Sequence, residues 1–349
     1  MYDYGVIVED LLEWYDANAR VLPWRSEPKP YYVWVSEIML QQTRVEAVKG
    51  YFARFIKELP DIAALAEAKE DELLKLWEGL GYYNRARNLQ VAAKTVMEEY
   101  NGKLPEEYKE LQKLKGIGSY TAGAIASIAY GKPVPAVDGN VLRVMKRLAG
   151  SYDDILKASV KKDLEKELTK IMPKRAGAFN QAIMDLGAMV CLPNGKPLCE
   201  DCPLQKYCVA YEKNIVMELP IKTPKKKRKI EEKTILVLEY EGKIALHKRE
   251  SRGLLAGLWE FPNFTGKIEK PSLMEILEEE NFIVKELGES KHIFSHIEWH
   301  MIGYYIRLNK KPDKDYIWVT VEELVKQYAI PSAFSAYLQG MKALYIVNN

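Results

Sequence analysis

Apolar residues recur at helical spacing through residues 5–215, where the amphipathic stretches Val33–Phe55, Glu70–Trp77, Arg85–Tyr100 and Ser119–Tyr130 are separated by short Gly, Pro and Asn punctuation. Strand-like alternation is missing there. Residues 217–231 carry prolines and a basic run that mark a linker. Beyond it, Thr234–Tyr240, Lys243–Lys248 and His300–Leu308 are β-branched or aromatic enough to be strands. The pattern predicts an all-α region over 1–216, a basic interdomain linker over 217–231 and an α+β domain over 232–349.

A 48% hydrophobic content across 349 residues is ample for two or three cores. Net charge is +2, from 51 basic and 49 acidic side chains, too balanced to mark a nucleic-acid partner by itself. Residues 1–20 carry acids throughout, and no stretch approaches the ~18 apolar residues of a membrane span. We expect a soluble, intracellular, cytoplasmic protein with no membrane partner.

All four cysteines, Cys191, Cys199, Cys202 and Cys208, fall in one loop over 191–208, with seven, two and five residues between them. A disulfide framework suits small secreted chains better than this one. Four thiolates so spaced can wrap one centre, and zinc and a four-iron cluster both accept such a set.

In Leu111–Ser127, two helical patterns meet at Gly116-Ile117-Gly118. A tight glycine turn leaves the N–H groups that open the second helix pointing at an anion, so the segment reads as a helix-hairpin-helix gripping DNA phosphates, with Lys115, Gly116 and Gly118 at the backbone and Lys113 nearby. Asp138 ends the apolar run Pro135–Val137 ahead of a helical pattern. There it can cap the helix and, through the same hydrogen bonds, stay ionised. Glu37 sits in the otherwise apolar or neutral stretch Val33–Thr43. It is either a solvated helix glutamate or, if partly buried, an acid with a raised pKa suited to general acid work. Together the two acids could break a glycosidic bond.

These residues carry a resemblance. Glu37 in VSEIMLQQT, the Gly79–Tyr83 turn before Arg85 and Arg87, LKGIGSYTAGAI, VDGNV and the cysteine set closely resemble the adenine DNA glycosylases of the MutY type, within the helix-hairpin-helix glycosylase superfamily. The resemblance implies a six-helix module plus a cluster module, followed by a Nudix-like domain. It also implies one 4Fe-4S cluster on the four cysteines, although the first gap has one residue more than the superfamily's usual six. Lys196 and Lys206 would then sit on a basic loop near phosphate. The implied substrate is double-stranded DNA with adenine opposite 8-oxoguanine or guanine, bound by a monomer after the adenosine is flipped out. Glu37 would protonate adenine and activate water, and Asp138 would stabilise the cationic sugar. Tyr120 and Asn140 would support them, with Leu22, Trp24, Arg25 and Gln181 as the adenine pocket.

Opposite-base recognition is implied for Gln42, Thr43, Leu80 and Tyr82, and in the later domain for His292, Phe294 and Ser295. Taken alone, Tyr82 could equally be core packing and Phe294-Ser295-His296 a turn. Relatives that also cut the backbone place a lysine where this chain has Tyr120, so a monofunctional enzyme with at most weak lyase activity is expected. Gly257–Pro262 is the clearest Nudix-like piece. Ser272–Asn281 lacks the Arg-Glu pair of a diphosphate hydrolase, which makes hydrolysis unexpected. The competing readings are a glycosylase-lyase for damaged pyrimidines, disfavoured by Tyr120, a nucleotide hydrolase, disfavoured by Ser272–Asn281, and a DNA-binding cluster protein without activity, which substitution of Glu37 and Asp138 would separate.

Overall fold

The computed structural model describes residues 2–224, 227–273, 277 and 282–348. Its internal contacts divide the chain into two compact units, one built from 1–67 and 87–224, the other from 68–86 and 225–349. Most of Ser272–Asn281, on which the expectation about diphosphate hydrolysis rests, lies outside the described residues, as do Lys225 and Lys226 of the basic run. Among the described residues up to 224 there is no strand, and among all described residues no helix is long and apolar enough to cross a membrane.

The longer helices are α1 (Val8–Asn18), α2 (Pro30–Leu40), α3 (Val45–Glu58), α4 (Glu70–Leu76), α5 (Asn84–Glu99), α6 (Ser119–Ala124), α7 (Gly139–Leu148), α8 (Ala158–Ile171) and α9 (Ala176–Met189). Pro30 starts α2 at its first position, where no backbone donor is lost. Everything from Val33 to Met39 on this helix is buried. The apolar run Val33–Phe55 does not continue as one helix, because the chain turns at Gln42, whose φ is 61°. In the first unit's core, Leu11 and Tyr15 of α1 pack with Val141, Val144 and Leu148 of α7 and with Phe179, Ile183 and Leu186 of α9. That packing fixes the two helices that bracket the site described below.

The second unit is a mixed sheet of β1 (Lys229–Tyr240), β2 (Lys243–Lys248), β3 (Trp259–Glu260), β4 (Asn263–Thr265), β5 (Phe282–Ile293), β6 (Ile297–Leu308) and β7 (Ile317–Val319). Its order is β3-β2-β1-β6-β5, with β4 pairing β1 and β7 pairing β2. The central β1/β6 pair is parallel, in register from Lys229↔Ile297 to Glu239↔Arg307. Strand alternation splits the side chains between two faces. Ile235, Val237, Trp299 and Met301 meet Phe334 and Tyr337 on one face; Leu236, Leu238, Ile302 and Tyr304 line the other. Helices α10 (Val321–Gln327) and α11 (Ser335–Asn348) follow the strands. β1 opens inside the expected linker, at Lys229.

Candidate active site

Glu37 and Asp138 line one cleft of the first unit, with room for about 200 Å³. Glu37 is 5% exposed on the apolar helix α2, and the Tyr120 hydroxyl, from the first turn of α6, donates to its Oε2 at 2.6 Å. Burial pushes the Glu37 carboxyl up to about 7; the hydrogen bond from Tyr120 opposes the rise, the nearby Asp138 adds to it and Arg25 opposes it. Such a group exchanges its proton near neutrality.

Asp138 caps α7. Its Oδ1 accepts from the backbone N–H groups of Asn140 at 2.9 Å and Val141 at 2.8 Å, and its Oδ2 accepts from Asn140 Nδ2 at 2.9 Å. As expected, these bonds favour the ionised carboxylate, but they do not act alone. Burial outweighs them and raises the carboxyl above its ordinary range, while the bonds from Val141 and Asn140 and the nearby Arg143 pull it back. The segment that delivers Asp138 is pinned by Asn180 of α9: its Oδ1 accepts from Ala136 N at 3.0 Å, and its Nδ2 donates to Val134 O at 2.9 Å. Close approach from the other side requires Gly123, since a Cβ there would lie 2.3 Å from the Pro135 carbonyl oxygen.

The cleft also contains Leu22, Trp24, Arg25, Thr43, Tyr120, Asn140 and Gln181, so the expected catalytic and adenine-pocket positions converge with Thr43. Leu22 and Trp24 are nearly inaccessible. Among the other lining residues, Arg20, Arg44 and Met184 are not among the expected site positions. Neither is Asp185, a fully buried acid that binds Arg20 and Arg25. A lone acid in the apolar helix α9, one turn after Gln181, was the signal available for it.

Two positions expected to meet the opposite base hold positive φ: Gln42 in the first unit at 61° and Tyr82 in the second at 48°. Residues other than glycine adopt that backbone uncommonly. Tyr82 is 54% exposed, whereas Leu80 is buried. Within the second unit, the Tyr82 hydroxyl lies 3.2 Å from Ser295 Oγ. Ser295 sits in the β5–β6 hairpin, which is braced by edge contacts of Phe294 with His292 and Trp299 at 4.6 and 4.8 Å. In the first unit, Gly116 turns the hairpin ahead of α6 with φ 82°. Gly118 caps α6, and Lys115 is exposed beside them. Lys113 is paired with Glu110 at 2.7 Å.

The four cysteines are unpaired and partly buried, and they line one pocket with Val144, Leu148, Leu186, Val190 and Leu204. Among the described residues, no three His, Cys, Asp or Glu side chains converge as a single ion would require. The pocket that the cysteines line is apolar. The first gap runs through the exposed segment 193–196 and closes through Leu198 N to Val190 O at 3.0 Å. Arg147 Nη1 donates to Cys191 Sγ at 3.3 Å. Arg143 joins the Cys191 carbonyl oxygen at 2.9 Å to Asn140 Oδ1 at 3.0 Å, next to Asp138. Lys206 is engaged by Asp10 at 2.8 Å, and Lys196 is exposed.

Residues 35–173 match the model for HhH-GPD superfamily base excision DNA repair proteins, and residues 234–340 match the NUDIX domain. The chain is 38% identical over 313 residues to the adenine DNA glycosylase of Buchnera aphidicola subsp. Baizongia pistaciae, covering 87% of each chain. It is 36% identical to that of Mus musculus, over 89% of this chain and 72% of the relative. A thermostable thymine-DNA glycosylase superposes with a TM-score of 0.54 at 30% identity, and an endonuclease III caught covalently on DNA with 0.52 at 27%; each match covers 60% of this chain and 96% of the other. With that identity spanning both units, the chain belongs to the adenine DNA glycosylases, carrying an endonuclease III-like helical region followed by a Nudix-like domain.

Proposed function

We propose that this protein is a base-excision-repair glycosylase that hydrolyses the N-glycosidic bond of adenine opposite 8-oxoguanine or guanine in duplex DNA. The observation that carries this reading is Glu37, buried, bonded to Tyr120 and titrating at about 7, in the same cleft as Asp138. With adenosine flipped into the cleft, protonated Glu37 gives its proton to adenine N7. The C1′–N9 bond then breaks, and its electron pair leaves with the base. Asp138 offsets the charge left on the sugar, and the Glu37 carboxylate takes a proton from the water that attacks C1′. Tyr120 orients Glu37, and Asn140 holds Asp138. No amine occupies the position of Tyr120, so strand cleavage beyond the abasic site is absent or weak.

The four cysteines and their apolar pocket suit a 4Fe-4S cluster. Held by Cys191, Cys199, Cys202 and Cys208, it would order the loop and supply no chemistry to base release. Leu80, Tyr82, His292, Phe294 and Ser295 of the second unit read the base opposite adenine, and Gln42 and Thr43 of the first unit are assigned the same task. Lys115 and the glycine turn hold the DNA backbone.

Glu37→Gln and Asp138→Asn test the reading. Each is expected to lower single-turnover adenine release by at least a hundredfold, the scale of general acid–base catalysis, while binding to the mispaired duplex persists. Unchanged release in both would overturn it.

A further inference from the structure

Helix α9 presents to the first unit's interior a carboxylate with no solvent exposure, Asp185. Arg20 reaches it through its backbone N at 3.1 Å, Nε at 2.8 Å and Nη2 at 2.6 Å. Arg25 reaches it through Nη1 at 2.7 Å and Nη2 at 2.9 Å. Both arginines line the cleft that holds Glu37 and Asp138. One buried carboxylate thus turns two guanidinium groups toward itself and cancels one of their two charges. An unpaired buried guanidinium in the same place would seek another anion, and the carboxyl groups of Glu37 and Asp138 line the same cleft.

We propose, resting on the glycosylase reading, that Asp185 is a positioning residue that holds Arg20 and Arg25 against the cleft wall and so keeps their charge from Glu37, the proton donor of the cleft. The groups that face Glu37 are Tyr120 from α6, Asp138 at the start of α7 and Arg25 from the short turn after Leu22. Arg20 and Arg44 line the same cleft. Desolvation and the charge of Asp138 favour the protonated acid, whereas Arg25 favours the carboxylate. Release of both arginines from Asp185 strengthens the opposing side, and a cation placed near a carboxyl lowers its pKa by about one to three pH units.

The test is the pH profile of single-turnover adenine release from a duplex with adenine opposite 8-oxoguanine, using the full-length, cluster-loaded protein. Wild type should lose rate as pH rises through about 7. In Asp185→Asn this limb moves down by about one pH unit or more, so release at pH 8 falls roughly tenfold while release at pH 5.5 falls much less. Asp185→Glu, and Asp185→Asn combined with Arg20→Gln, move the limb back toward wild type, because each restores the charge balance. A rate loss equal at every pH would overturn the proposal. If Asp185→Asn does not fold, Arg20→Gln alone serves, since it leaves a neutral Asp185–Arg25 pair; its limb should move up, and an unmoved limb would overturn the proposal. A wild type with no alkaline limb contradicts the role of Glu37 itself, whereas a wild-type limb that the variants leave in place contradicts only the role of Asp185.

Discussion

Replacing Glu37 by Gln should make the first unit more stable at pH 8 and remove its activity. In the fold, Glu37 holds its proton up to about 7, whereas an unperturbed glutamate releases it at 4.5. As pH rises through that interval the unfolded chain gives up a proton that the folded chain must keep, so the contribution of Glu37 is fully favourable below 4.5 and is lost as pH passes about 7. The separation amounts to about 3 kcal/mol at pH 8 and about 1 kcal/mol at pH 5.5. A glutamine of the same size accepts the Tyr120 hydrogen bond through its amide oxygen and carries no charge to desolvate. Urea unfolding followed by helical circular dichroism at both pH values measures the difference. The variant should lead by about 3 kcal/mol at pH 8, and the lead should shrink by about 2 kcal/mol at pH 5.5. An equal difference at both pH values would refute the reasoning, because it would show that Glu37 titrates in the fold as it does in the open chain.

Gly116→Ala places a Cβ 2.8 Å from Asn88 Cβ on a backbone with φ 82°. It should cost about 1–3 kcal/mol and weaken binding to undamaged duplex, both read from unfolding and titration. Ser295→Ala removes the partner of the Tyr82 hydroxyl; competition kinetics should show a smaller preference for 8-oxoguanine over guanine with adenine release itself little changed. Glu78 accepts from Ile330 N at 2.8 Å and pairs with Lys75 at 2.6 Å within the second unit. Glu78→Ala should speed amide hydrogen exchange across 77–86 by about tenfold, as loss of one charge-assisted bond predicts.

The helical half was legible because its apolar spacing is long and repeated, and the cap formed by Asp138 was legible because an acid stands directly before Gly-Asn at the start of an amphipathic helical pattern. Strand β5 was not. Its sequence FIVKELGESKHI is largely polar and leaves most side chains at least partly exposed, so it carries no apolar run to detect. The break at Gln42 was hidden because neither glycine nor proline marks it. Contiguity in sequence also concealed that residues 68–86, lying between helices of the first unit, pack with the second, where Lys75 donates to the Tyr328 carbonyl oxygen at 2.9 Å. The cysteine spacing left zinc and a four-iron cluster open, because both accept four thiolates, and only the family resemblance separates them. The Asp185 pair was missed because its arginines lie 165 and 160 positions away, and charge pairing over such separations leaves no local pattern.

Single-turnover release of adenine from a duplex containing one adenine opposite 8-oxoguanine, with thymine as the control partner and alkali added to reveal abasic sites, tests the central claim most directly. Fast release that depends on the partner and yields strand breaks only after alkali is the result expected of Glu37 and Asp138 acting without a lysine nucleophile. No release from a duplex that the protein nevertheless binds tightly would contradict it.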